Sequence, residues 1–522
     1  MTRRRFAQAS LFAISIAIFA MLTRLTAPST LKASLSSFTM SSSKPPVIVI
    51  GSGLAGLAAA YSALQSGASS VHMLDRAATP GGNSIKASSG INGAGTRFQA
   101  AAGIPDDPYF LADTITSAGA RYATDALHPD AARVDRPALL ATLVAESART
   151  LHWLADDLGV DLRQVTRLGG HSVARTHRGT GRTPPGAALV GAFLERLRDR
   201  AGFTLTSAAT VTRLTTALDG AVTGVEYVLA DGATARLAGP VVVAAGGFAG
   251  DAEGLMKRYR PDLAGLPATA ETRPGAQDLV VAVGAELVDM DSVQVHPTGF
   301  VASGARGAMS KFLAAEMLRG EGGILLDAAG RRFVNEMDLR SVVSGAIMRL
   351  PREEVEDAPG IRQWNVTLLL DPGASQAAAG HLGFYTWKGL MQRKKISELS
   401  PAVRQTLAEY AEIAAGNRKD PLGRSSFGQW ALKPGEDWSD LEVHVGQVTP
   451  VVHFTMGGVA FDTKARVLKK KEEDDKMQPI AGLFAAGEIT GGIHGDNRLG
   501  GSSLLECAVY GRIAGKSAAA SI

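Results

Sequence analysis

The first residues in this 522-residue chain with a chemical signature are Gly51-Ser52-Gly53-Leu54-Ala55-Gly56, a GxGxxG run. Val47-Ile48-Val49-Ile50 precedes it and reads as a short buried strand. After it, Leu54, Leu57, Ala58, Tyr61 and Leu64 recur at helical spacing, and residues 70–75 read as a second strand that ends in the acid Asp75. Strand, glycine turn, helix, strand and acid together are the context in which such a run binds a dinucleotide. Gly51 permits the tight turn, Gly53 lets the backbone approach a pyrophosphate, and Gly56 lets the helix pack on the strands. The helix N-terminus offers unpaired N–H groups and partial positive charge to phosphate. Asp75 stands where a carboxylate accepts hydrogen bonds from ribose hydroxyls. This unit alone does not separate FAD from NAD.

Downstream residues separate them. Gly82-Asn83-Ser84 follows the second strand, and residues 86–94 bring Ser88, Gly90, Ile91, Asn92 and Gly93. Small side chains and backbone donors of this kind can lie flat along a flavin. An apolar run at 241–245 stops in Gly246-Gly247, and another at 482–486 stops in Gly487-Glu488. Three apolar strands that each end in glycine suit one extended ligand crossing the carboxyl edge of a sheet.

The elements that position these groups belong to an ordinary globular chain, with 45% hydrophobic and 20% charged residues, which excludes disorder. Its length suggests more than one lobe. With 54 basic against 50 acidic residues, the charge is too balanced to imply nucleic acid. The one cysteine, Cys507, excludes an intramolecular disulfide, a cysteine-ligated iron–sulfur cluster and a c-type haem built from this chain alone. Redox chemistry here needs an organic cofactor or a partner's metal centre. Cys507 itself lies in the apolar run LLECAVYG and reads as core packing.

Residues 1–44 differ from the rest. Arg3, Arg4 and Arg5 precede an apolar run at 11–22 and a Ser/Thr-rich stretch, and no acid occurs before Asp75. This pattern suits a secretory signal or signal anchor, a mitochondrial transit peptide, or a plain tail. The expected destination is the mitochondrion or the endoplasmic reticulum, with a membrane tether, if any, confined to this segment.

The strings GSGLAGLAAA, GGNSIKASSGINGA, LGGHSVARTHR, VQVHPTGF, KFLAAEMLRGEGGILL, GRRFVNE, VTPVVHFTMGGV and AGEITGGIHGDNRLGGSSLLE resemble the soluble flavoprotein fumarate reductases, the fungal ones in particular. The resemblance runs from about Val47 to Ala514. The same family embraces succinate dehydrogenase flavosubunits, L-aspartate oxidase and, more distantly, ketosteroid dehydrogenases. It implies an α/β fold with a discontinuous Rossmann-like FAD-binding domain, residues 45–302 and 446–522, and an inserted α+β capping domain, residues 303–445. Polar, helix-like stretches such as EEVEDAPG and LSPAVRQTLAEYAEIAA fill part of that insertion. Ser503 and Leu504 would join the cofactor contacts.

By this resemblance His453 and Arg498 would grip one carboxylate of fumarate and His296 the other. Arg340 would donate the proton, refilled through Arg319 and Glu316. An arginine–carboxylate pair gives position as well as charge. An arginine acid is chemically awkward, since its proton is held beyond about pH 12. Glu316 and Arg319 also stand at ordinary helical ion-pair spacing, and His171 and His177 would line the region without an assigned role.

Departures from the family pattern are Ala315, where bacterial flavocytochrome relatives carry a hydroxyl residue, and Pro274-Gly275-Ala276, where a Gly-Asp-Gly turn is common. No histidine occurs between His72 and His128 to match the covalent-flavin residue of the membrane-bound relatives. One non-covalent FAD per chain is therefore expected. No second GxGxxG unit offers a nicotinamide site, so the reductant is expected to be diffusible reduced flavin, an NADH-linked donor or a partner protein. The alternatives are a relative acting on another dicarboxylate or unsaturated acid, and a non-catalytic flavin-binding redox protein.

Overall fold

The computed structural model describes residues 44–522 apart from 124–132, 182, 472, 474 and 475. The targeting segment read from the sequence lies, up to Ser43, outside the described residues. Three strands with the apolar runs identified above are neighbours in one six-stranded sheet. Val47–Ile50 pairs in parallel with Val71–Leu74 on one side and with Val241–Val243 on the other. Val241–Val243 pairs in parallel with Met477–Ala485, and Phe203–Thr206 and an antiparallel Arg466–Lys470 close the two edges. Strands covered on both faces read as continuous apolar runs. Their parallel register brings Gly51, Gly246 and Gly487 to the same carboxyl edge.

Two helices meet over this sheet at unusually close range. The C-terminal helix Ser502–Ala520 lies on the fingerprint helix Leu54–Gln65. A Cβ on Gly515 would overlap the carbonyl oxygen of Ala59, and one on Gly511 the carbonyl oxygen of Ala55. Only small residues allow this backbone-to-backbone crossing, and Ala55, Ala58, Ala59, Ala508 and Ala514 supply the rest of the contact core.

A second, antiparallel sheet runs Val293–Phe300, Glu442–Thr455, Val366–Leu370, Ile324–Leu326, with Gln392–Lys395 also pairing onto Glu442–Thr455. It has its own core around Phe300, Trp364, Leu368 and Tyr385. The architecture is α/β. LSPAVRQTLAEYAEIAA forms the helix Pro401–Ala414, capped by Ser400 Oγ on the Val403 N–H at 3.3 Å and opened by Pro401. EEVEDAPG forms no helix. Glu353 instead pairs with Gln363 in a two-residue ladder, and turns follow. That stretch has no apolar stripe to bury, and Pro359-Gly360 stops any helical continuation. Among the described residues, no helix is long and apolar enough to cross a membrane.

Candidate active site

The glycine edge is a cradle. Gly51 has φ +101, and a Cβ there would overlap the carbonyl oxygen of Ala244 on the neighbouring strand. Gly246, at φ +80, has no atom within 4 Å of where a Cβ would stand, so the strand end opens onto free space. The fingerprint helix starts at Gly53 and the C-terminal helix at Gly501, and neither cap residue has a side chain to satisfy the exposed N–H groups. One of them, Leu54 N–H, donates to Ser84 Oγ at 3.0 Å. Asp75 accepts from Ser52 N at 2.7 Å, from Ser52 Oγ, and from Ala77 N at 2.7 Å, which leaves it acceptor capacity for one more donor.

The flavin-loop residues pack against this edge. Asn92 donates to Gly500 O at 2.7 Å and to Ser502 Oγ at 3.0 Å, tying the Ile91–Asn92 strand to the start of the C-terminal helix. Gly90 sits against His177 O, and Gly247 against Thr455 Oγ1 and Glu488, where any Cβ would collide. Gly82 lies beside Gly53, and Asn83 follows it into the single turn Ser84–Lys86. Leu504 and Ser503 stand in the first turn of the C-terminal helix, and Ser88 O accepts from His381 Nε2 at 2.7 Å. Gly93 is held against Leu151 and Thr96. Glu488 accepts from Thr455 N at 3.0 Å, and burial pushes its carboxyl up to about 7. These small residues and two uncapped helix starts fit a dinucleotide laid across the edge.

The second cluster joins residues from five segments. Glu316 accepts from Arg340 Nε at 2.7 Å, from Arg340 Nη2, and from Gly169 N at 3.2 Å. Arg319, one helical turn on in Met317–Gly320, holds Nη2 3.7 Å from Glu316 Oε1. The helix expected there is only one turn long because Gly320, Gly322 and Gly323 end it. Gln294 Oε1 accepts from Arg340 Nη1 at 2.7 Å and from Arg498 Nη2 at 3.2 Å, so it bridges the two guanidinium groups. The Arg498 guanidinium lies 4.3 Å from the centre of the Phe454 ring.

His296 and His453 sit on paired strands with ring centres 5.2 Å apart. His296 Nδ1 faces the Thr298 N–H at 3.2 Å. A ring nitrogen that accepts a backbone N–H carries no proton, which puts the hydrogen of the neutral ring on Nε2. That Nε2 is buried and has no partner. His453 Nδ1 is 3.0 Å from Thr269 Oγ1.

Electrostatics set the protonation states. Burial and then the Arg340 guanidinium hold both His296 and His453 well below the usual imidazole range, so both rings are neutral donors. Burial pushes the Glu316 carboxyl up, but Arg340 and Arg319 outweigh it and bring it down to about 2. Burial, with Arg340 beside it, lowers Arg498 to about 9. His171 and His177 are each pulled down to about 4 by burial, and both rings are hydrogen-bonded, to Gly500 O at 3.0 Å and to Thr96 Oγ1 at 2.7 Å respectively. In place of the hydroxyl residue before Glu316, the Ala315 N–H donates to Tyr385 OH at 3.2 Å. At the departed turn, Gly275 N donates to Asp251 at 3.1 Å and Pro274 O accepts from Arg76 at 2.8 Å, so distant side chains fix it.

The FAD binding domain family matches residues 46–504. The chain belongs to this FAD-binding family. It is 39% identical to the fumarate reductase of Schizosaccharomyces pombe, over 95% of this chain and 94% of the relative. It is 40% identical to fumarate reductase 1 of Saccharomyces cerevisiae, over 91% and 98%. Among solved structures, the open conformation of a flavocytochrome c3 fumarate reductase superposes with TM-score 0.68 and 28% identity, covering 92% of this FAD-binding chain and 79% of the other. Among the buried amides that the flavoprotein's sequence left unassigned are Gln294 and Gln277. Gln294 stands two residues before His296, the spacing that returns a strand's side chains to one face. Gln277, behind the departed turn, is buried with both amide atoms unpartnered, and no motif signalled it.

Proposed function

We propose that this chain reduces fumarate to succinate. The observation that carries this reading is the unpartnered His296 Nε2–H, buried beside Arg340, Arg319 and Arg498, with Glu316 the carboxylate that Arg340 and Arg319 share and Glu336 and Glu488 standing behind Arg319 and Arg498. Such a nest holds unsatisfied buried donors, His296 Nε2–H and Arg498 Nε–H, and the carboxylates of a small diacid supply acceptors for them. His453 and Arg498 bind one carboxylate and His296 the other. Fixing both ends orients the alkene and draws electron density from it.

FAD, held non-covalently along the glycine edge by the Gly53 and Gly501 helix starts and Asp75, would supply the hydride when reduced. Arg340 donates a proton to the second alkene carbon. Three of its five N–H bonds are engaged by Glu316 and Gln294, which leaves two for substrate. Glu316, ionised at rest, takes a proton from Arg319 and passes one on to Arg340. Neither histidine competes as the acid, because a neutral imidazole N–H donates a hydrogen bond but is a weaker acid than imidazolium, and the arginines around it disfavour that charged form. Residues 303–445, which bring Glu316, Arg319 and Arg340, act as a cap over a site whose other groups come from 45–302 and 446–522, and closure excludes water. Electrons arrive from diffusible reduced flavin, an NADH-linked donor or a partner protein. Residues 1–44 direct the chain to the mitochondrion or the endoplasmic reticulum.

The test is anaerobic photoreduction of the holoprotein followed by addition of fumarate. Return of the oxidised flavin absorbance within the mixing time supports the reading. Reoxidation by urocanate, methacrylate or iminoaspartate but not by fumarate would replace the substrate, and no reoxidation by any acid would leave a flavin-binding protein without this activity.

A further inference from the structure

Behind Arg319 lies a second buried charge cluster that the proposed reaction does not use. Arg424, from the loop after the helix Pro401–Ala414, donates from Nη2 to Arg319 O at 2.9 Å and from Nη1 to Gly323 O at 2.9 Å, so it spans the turn that carries Arg319. Its Nε donates to Ser426 O at 2.8 Å, and Nη1 also reaches Glu336 Oε2 at 3.1 Å. Glu336 accepts from Arg332 Nε at 2.8 Å and from Leu325 N at 3.2 Å, while its own carbonyl oxygen takes the Arg319 Nη1–H. Arg332 continues to Asp420 through two contacts of 3.1 Å. Arg319, Arg424, Glu336 and Asp420 are all buried, and the Arg332 guanidinium stacks on Tyr410 at 4.3 Å.

We propose that Arg424 and Glu336 are positioning residues for the relay, holding Arg319 in place from behind and setting how readily it releases its proton toward Glu316. This rests on the fumarate-reduction reading above. The geometry is asymmetric in the required way. Arg319 is anchored outward through Nη1 and its main-chain carbonyl, whereas Nε and Nη2 have no hydrogen-bond partner and Nη2 lies 3.7 Å from Glu316 Oε1. The proton that leaves Nη2 crosses to Glu316 Oε1, 3.7 Å away, and the carboxyl so formed gives a proton to the deprotonated Arg340 at Oε2. Arg319 must then regain a proton before the next turnover.

The charges around Arg319 act in opposite directions. Glu316 on its own turn and Glu336 on the loop after Ile324–Leu326 favour its protonated form. Arg340 from the helix Arg340–Met348, Arg424 behind it, Arg332 beyond Glu336 and the dipole of neutral His296 disfavour or do not favour it. Burial and Arg340, with Arg424 adding to them, leave Arg319 below the usual guanidinium range. A cluster that merely holds the fold together would lose stability when either charge is removed. One that tunes a proton donor must respond to the two removals with opposite sign.

The experiment compares kcat–pH profiles of flavin-loaded full-length Glu336→Gln and Arg424→Gln with wild type. Removing the anion should move the alkaline limb of kcat down by about one pH unit, and removing the cation should move it up by about as much. Arg424→Gln should also lower kcat at neutral pH about tenfold and enlarge the solvent deuterium isotope effect, with fumarate KM within about twofold of wild type. Arg424→Lys should restore the limb but not the full kcat, since it returns charge without the fork. Profiles that superimpose, or that shift the same way in both variants, would overturn the proposal. If Arg424→Gln yields no flavin-loaded protein, Arg332→Gln removes the cation beyond Glu336 and must move the limb up, while Asp420→Asn must move it down by less than Glu336→Gln; an unmoved limb in either variant counts against the proposal. Wild-type kcat in Arg319→Ala would instead sink the reading of the relay itself.

Discussion

At Arg340 the guanidinium is tied to Glu316 and Gln294 before any substrate arrives, so its orientation is set by the protein and not by the ligand. Shortening or replacing it removes the acid but leaves His296, His453 and Arg498 to bind. Arg340→Lys or Arg340→Ala should lower kcat by about 10²–10⁴-fold or more while fumarate still perturbs the flavin spectrum with a similar Kd. Near-normal turnover in the alanine variant would take Arg340 out of the mechanism. Gln294 has a different signature. Gln294→Leu leaves Arg340 Nη1 and Arg498 Nη2 buried without their shared acceptor, a loss of about 1–3 kcal/mol at each. Fumarate KM should rise at least about tenfold, because two anchors lose their alignment together, and steady-state kinetics on the folded variant reads this directly. Glu316 is visible in acid. Its folded carboxyl sits at about 2 against 4.5 for a free one, so the ionised side chain stabilises the fold above about pH 4.5, and that contribution, roughly 3 kcal/mol, drains away as pH falls toward 2. The melting-temperature advantage of wild type over Glu316→Gln should therefore shrink from about pH 6 to pH 3, and a constant difference would mean that Arg340 and Arg319 do not hold the charge.

Among the elements, the contact of the fingerprint helix with the C-terminal helix decides whether the cradle exists at all. Both helix starts at the cradle, Gly53 and Gly501, are placed by this crossing. On helix propensity alone Gly515→Ala would stabilise by about 1 kcal/mol. The added Cβ would overlap the carbonyl oxygen of Ala59, however, so the helices must separate, at a cost of about 1–3 kcal/mol or more. Thermal melting should show a net loss together with reduced flavin content on purification, and an unchanged or raised melting temperature would show that the crossing tolerates side chains. This level of structure was only partly legible in the residues. The strands at 47–50 and 241–243 and the end of the strand Met477–Ala485 were readable because strand segments buried on both faces are apolar throughout, and each glycine stop marked an edge; the half-buried start Met477-Gln478-Pro479 carried no such signal. The 401–414 helix was readable from its Ser-Pro start. EEVEDAPG was misread because polar, Glu-rich composition favours a helix only where an apolar stripe can be buried, and none exists there. Gln294 escaped notice because an amide acquires its meaning only from what stands opposite it, here arginines 46 and 204 positions away.

Across the whole molecule, the cofactor edge is assembled from chain ends. Gly51 and Asn92 come from the first described hundred residues, whereas Glu488, Gly501 and Ser503 come from the last forty. Val47–Ile50 and Met477–Ala485 are not neighbours but are joined through Val241–Val243, so the sheet alone holds the two ends at one remove. A dinucleotide across this edge would contact all three strand ends at once. It would act as a clamp whose free energy adds to folding, since a ligand that binds only the native state stabilises by about 4 kcal/mol at a thousandfold excess over Kd. Removing FAD should consequently lower the melting temperature by several degrees and make unfolding of the sheet less cooperative. Graded addition of FAD to the apoprotein should restore it in proportion to the logarithm of free FAD, whereas riboflavin, which lacks the pyrophosphate that the Gly53 helix start would hold, should restore little. Equal melting temperatures with and without FAD would mean that the two ends are held by protein contacts alone, and equal rescue by riboflavin would mean that the pyrophosphate is not gripped at the Gly53 helix start.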